Sequence, residues 1–139
     1  MAVGITVGSI TDEIGTPDFL HAFFSTISAH CDEGGWGSRF PHLFSLYRGR
    51  LQASDAAEAL RELREAHSQL LRLPPDRVVW DIENPRARPP WGANIAAEIT
   101  SLGNYFVSST GRDLFALLEE AFAECSEKGR DATVQSTSV

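Results

Sequence analysis

Residues 54–75, SDAAEALRELREAHSQLLRLPP, carry the clearest periodicity in the chain. Ser54 is a good N-cap, the first turn is acidic, and Leu60, Leu63, His67, Leu70 and Leu71 recur as one apolar stripe. The spacing predicts a helix from about Asp55 to Leu73, stopped by Pro74-Pro75. Glu58, Arg61, Glu62 and Glu65 fall on its outer, solvated face.

Working back from that helix, Pro41 to Tyr47 reads as a short helix ended by Gly49, and GGWGSRFP as a turn-rich connector. Before it, Thr16 and Pro17 suit the start of a helix. Phe19, Leu20, Phe23, Phe24 and Ile27 recur at helical spacing until Asp32 and Gly34-Gly35. AVGITVGSI, with Val3, Ile5 and Val7 alternating, predicts a strand with one buried face. Working forward, Arg77 to Ile82 and residues 104–109 (NYFVSS) read as short strands, separated by a helical or irregular stretch around Ile95, Ile99 and Leu102. Thr110 is placed to cap a last helix with Leu114, Phe115, Leu118, Phe122 and Cys125 on its inner face. Residues 127–139 lack periodicity and are read as a disordered tail whose removal leaves the melting temperature nearly unchanged. There is no internal repeat. The expectation is one small α+β domain over residues 1–126, a short sheet packed against three or four helices.

Charge and composition narrow the function classes. The net charge is −7, and the first 38 residues carry Asp12, Glu13, Asp18, Asp32 and Glu33 with no Lys or Arg. Such a balance opposes binding to nucleic-acid phosphates, which Lys and Arg must neutralise, and favours a basic partner. Apolar runs are broken well short of the roughly 18 residues a membrane span needs. The N-terminus has neither a basic n-region nor an apolar h-region, so a cytoplasmic location is expected. Cys31 and Cys125, far apart and alone, agree with a reducing compartment.

Catalytic and metal chemistry find little purchase. His30, Cys31, Asp32 and Glu33 are adjacent, but consecutive residues at a helix end point in different directions and do not converge on one ion. There is no G-x-S-x-G elbow, phosphate loop or dinucleotide fingerprint, and no cofactor or metal is expected. His21 and His42 have no partner visible in the sequence. Asp81 and Glu83, at i and i+2, would share one side of a strand and could divide acid and base roles. No neighbouring His, metal cluster or nucleophile completes that constellation, so the rim of a strand running into a turn at Asn84-Pro85 is the plainer reading.

WDIENPRARPPWG, residues 80–92, is distinguished by stiffness instead. Pro85, Pro89 and Pro90 fix φ, so an aromatic side chain held there meets a partner at low ordering cost. Trp80 reads as core and Trp36 as half-buried, while Trp91 fits either a core or a presented position.

The segments VGSITDEIGTPDFLHAFFSTIS, GWGSRFP, VVWDIENPRARPPWGANI and NYFVSSTGRDLFALLEEAF, within about residues 2 to 125, resemble the family catalogued as immunity protein 70 of bacterial polymorphic toxin systems. The resemblance implies a small cytoplasmic α+β antitoxin that binds a cognate toxin domain and blocks it without catalysis. It carries no binding residues with it. On physical grounds the contact residues expected are Asp12, Glu13, Asp32 and Glu33 for steering, with Trp36 in the glycine-rich connector and Asp81, Glu83 and Trp91 at the stiff segment. The alternatives are a small enzyme using Asp81 and Glu83, and a structural subunit without a toxin partner.

Overall fold

Val3, Ile5 and Val7 do alternate into a core. In the computed structural model, which describes residues 2–32, 34–84, 86–92 and 94–136, they belong to strand β1 (Val3–Val7). The strand does not run on through Ile10, as the sequence reading had it. The chain reverses at Gly8-Ser9, and β2 (Ile10–Gly15) returns antiparallel with Val7 opposite Ile10. Gly8 has φ +62°, and Gly at the first of two loop positions is the chemistry of a tight hairpin.

The larger correction concerns the expected tail. Residues 132–136 form β4 (Ala132–Ser136), which lies inside the sheet, antiparallel to β1 on one side and to the two-residue β3 (Arg50–Leu51) on the other. The strand order is β2-β1-β4-β3. Ala132 stands opposite Val7 and Val134 opposite Ile5, so the C-terminal segment adds to the buried face of the sheet. Five residues with two modest apolar positions make too short a pattern to read as a strand. The pairing on both sides is what stabilises it. Residues 127 and 128 end the last helix, and Thr137 to Val139 lie outside the described residues.

Four helices among the described residues complete the core. α1 (Pro17–Cys31) starts as expected, with Thr16 Oγ1 accepting from the Phe19 N–H at 3.2 Å. Phe23 at its centre meets Phe106 and Phe115 edge-on, at 5.2 and 5.0 Å between centroids. α2 (Pro41–Tyr47) has the bounds read from the sequence, and its N-terminus is held by Glu62, whose Oε1 accepts from the His42 and Leu43 N–H groups at 3.0 and 3.1 Å.

α3 (Ala56–Leu70) is shorter than expected and rotated. A 3₁₀ turn at Ala53–Asp55 leads into it, with no side-chain cap, so Ser54 does not cap it. Its buried line is Ala56, Ala59, Leu63, Ala66 and Leu70, whereas Leu60 and His67 are half-buried and Leu71 is 52% exposed. The alanines let α3 approach its neighbours α1 and α4 closely, which larger side chains on that line would prevent. In α4 (Leu114–Lys128) all five expected inner residues are buried. Its cap is Asp113, which accepts from the Ala116 N–H at 2.9 Å, while Thr110 sits in the preceding turn with its hydroxyl 2.9 Å from Ser108. The fold is α+β: a four-stranded antiparallel sheet and four helices among the described residues.

Candidate partner-binding face

Residues 77–82 were expected to be a strand and are not. They run along α1 in the opposite direction, bonded to side chains of that helix. His30 Nε2 donates to the Arg77 carbonyl at 2.7 Å; Thr26 Oγ1 accepts from the Val79 N–H at 3.0 Å; Ser25 Oγ accepts from the Ile82 N–H at 3.1 Å. Extended residues with Val-Val-Trp character satisfy β propensity, but here the helix supplies the hydrogen bonds that a neighbouring strand would otherwise supply. The buried Ser25 and Thr26 hydroxyls thereby find partners as well.

This placement brings Asp81 to His21. Asp81 Oδ1 lies 2.9 Å from His21 Nε2 and also accepts from the Glu83 N–H at 2.9 Å, closing a turn. The two carboxylates are therefore not an i, i+2 pair on a strand, as the sequence reading supposed. The His21 hydrogen bond, helped by the Glu83 amide, holds the Asp81 carboxyl below its ordinary range. On the other side of the imidazole, Nδ1 is 3.5 Å from the Tyr47 hydroxyl, whose pKa is pushed up by burial and by the charges of Glu83 and Asp81. His21 and Tyr47 escaped sequence reasoning because their partners lie 60 and 26 residues away, and no local pattern marks such a pairing.

An aromatic chain leads from the core to the surface nearby. Phe106 touches Phe23 inside, Tyr105 meets Phe106 edge-on at 5.0 Å, and the Tyr105 hydroxyl accepts from Trp91 Nε1 at 2.8 Å. Trp91 in turn stands perpendicular to Trp80, with 5.3 Å between ring centroids. Trp91 is 39% exposed, so its indole is both anchored and presented, whereas Trp80 is half-buried rather than fully in the core. Two grooves, of about 430 and 340 Å³, share Ile95 and Tyr105 in their walls. Pro89 is buried beneath this surface, and Pro85 lies outside the described residues.

The other expected contact residues are dispersed. Asp12, on the edge strand, pairs with Arg112 at 3.2 Å, and Glu13 accepts from Ser109 Oγ at 2.6 Å. Asp32 is 3% exposed, with its carboxylate accepting from the Gly37 and Arg39 N–H groups, each at 2.7 Å, and from Ser38 Oγ at 3.1 Å. It organises the GGWGS loop from inside the fold. Glu33 lies outside the described residues. Trp36 is half-buried, as expected, packed edge-on against Phe44 and Tyr47 at 5.5 and 5.7 Å. Cys31 and Cys125 are buried free thiols, both pushed up to about 11, chiefly by burial. Among the described residues no three metal-ligating side chains converge, and no helix is long and apolar enough to cross a membrane.

The family model described as Immunity protein 70 matches residues 5–134, from β1 into β4. No curated protein and no solved structure matches the chain.

Proposed function

Since the chain belongs to the immunity protein 70 family, we propose that it is a cytoplasmic antitoxin that binds a cognate polymorphic toxin domain and blocks it by occlusion. The observation that carries this reading is the family match, which spans nearly the whole fold. The face built by residues 80–109 suits the role. A partly exposed Trp91, fixed by a hydrogen bond and by Trp80, can enter a pocket on a partner with little ordering cost. Asp81, kept ionised and tied to His21 and a turn, is a fixed anion and not a proton donor. That setting gives a basic partner surface a fixed negative charge to meet.

Co-expression with an inactivated copy of the toxin domain encoded beside it, followed by size-exclusion chromatography, tests the proposal. A stoichiometric complex, and rescue of growth against the active toxin, are expected. With Glu83→Gln, protection and affinity should weaken together. A variant that binds normally yet fails to protect would exclude simple occlusion, and no complex with the intact chain would overturn the antitoxin reading.

A further inference from the structure

A groove of about 460 Å³ opens beside the His21 ring, where the buried face of the sheet runs past the start of α1. Val3 of β1 and Val134 of β4 supply one side of its apolar lining, Leu20 and Phe24 of α1 the other. An apolar stem inserted there would release water from these side chains.

The fixed charge in its lining is a carboxylate. Asp18, exposed in the first turn of α1, lines the groove and forms no ion pair among the described residues. His21 and Tyr47 form the wall from which Asp81 is reached, and exposed Glu83 follows Asp81 around the turn. The basic residues next in sequence to Tyr47 are engaged elsewhere: the Arg48 guanidinium lies 5.9 Å from the centre of the Phe44 ring, and Arg50 pairs with Asp131.

Apolar lining with anionic surroundings restricts the occupant. A purely apolar side chain would displace water from the carboxylates without compensating their charge, and an acidic one would be repelled. Lysine and arginine combine an alkyl stem that covers apolar surface with a cationic head. A second copy of this chain, itself at −7, has the wrong overall charge to be favoured there. We infer that this groove receives a long cationic side chain of the toxin, its stem against Val3, Leu20, Phe24 and Val134 and its charge near Asp18 and the Asp81–Glu83 turn.

This inference rests on the antitoxin reading, and two measurements separate them. In the first, the ¹⁵N-labelled chain is titrated with N-acetyl-arginine amide and N-acetyl-lysine amide, with the norleucine and glutamate amides as controls. The cationic probes should shift the amides of Val3, Leu20, His21 and Val134, and the Asp18→Asn/Glu83→Gln variant should lose the response. No shift at these residues, or an equal shift with norleucine, would overturn the assignment. In the second, Asp18→Asn alone should bind the toxin domain several-fold more weakly than the unaltered chain, with an otherwise unchanged amide spectrum as the check on its fold. Equal affinity would overturn the groove assignment and leave the antitoxin reading standing. Failure of the unaltered chain to bind at all would overturn both.

Discussion

Asp32 shows how far a residue's role depends on what folds around it. In the sequence it is one of five acids in a base-free stretch and invites a steering role; in the fold it is buried and accepts three hydrogen bonds from the loop that follows α1. Asp32→Ala would leave the Gly37 and Arg39 N–H groups without their acceptor. It should cost about 2 to 3 kcal/mol in urea unfolding, far more than the roughly 0.5 kcal/mol typical of a surface change. The cysteines make a related point. Asp32 and Glu33 follow Cys31 directly in the sequence, yet burial is the larger cause of its raised thiol, and Asp32 follows Arg39 among the charges. Both thiols are raised in the folded state from 9.0 to about 11. Their contribution to stability is complete below pH 9 and is lost as pH rises towards 11, because the unfolded chain ionises first. Alkylation at pH 8 should therefore be slow in the native protein and rapid in urea, and the unfolding midpoint should fall above pH 9.

At the scale of elements, most helices and β1 were legible, and the other strands were not. α1, α2 and α4 stand on apolar positions repeated over several turns or on a strong Pro start, signals that do not depend on a distant partner. The turn at Gly8-Ser9 was also present in the sequence, as a glycine between alternating runs, and marks β2 in retrospect. β4 had no comparable mark. Ending the chain after Arg130 would remove the strand between β1 and β3 and uncover the apolar face against which α4 packs. The loss should exceed about 4 kcal/mol, a large share of the stability of a small domain, and should appear as a collapse of the cooperative thermal transition by circular dichroism. A truncated chain that melted within a degree or two of the full one, an interval of about 0.5 kcal/mol, would show that β4 is dispensable.

For the whole molecule, the charge of −7 acts at a distance and Trp91 acts on contact. Raising salt from about 0.05 to 0.5 M should slow association with the toxin domain several-fold and change dissociation much less, since screening removes long-range attraction and leaves packing intact. Trp91→Ala should do the reverse, costing about 2 kcal/mol or more, mainly as faster dissociation. Stopped-flow mixing at two ionic strengths separates the two effects. A complex indifferent to salt would remove electrostatic steering from the account without touching the antitoxin proposal.

What could be read along the chain was whatever local periodicity encodes: the α+β class, the inner faces of α1 and α4, the alternation of β1, and the capping of α1. Tertiary structure alone decided the rest. Residues 77–82 have strand-like composition, but Ser25, Thr26 and His30 of α1 satisfy their backbone, and a side chain on a helix gives no sign in the sequence of which distant amide it will meet. The same holds for His21 between Asp81 and Tyr47, and for Ala132 opposite Val7. Periodicity records which side of an element is buried. It does not record what that side is buried against, and the candidate face of this protein is made almost entirely of such long-range pairings.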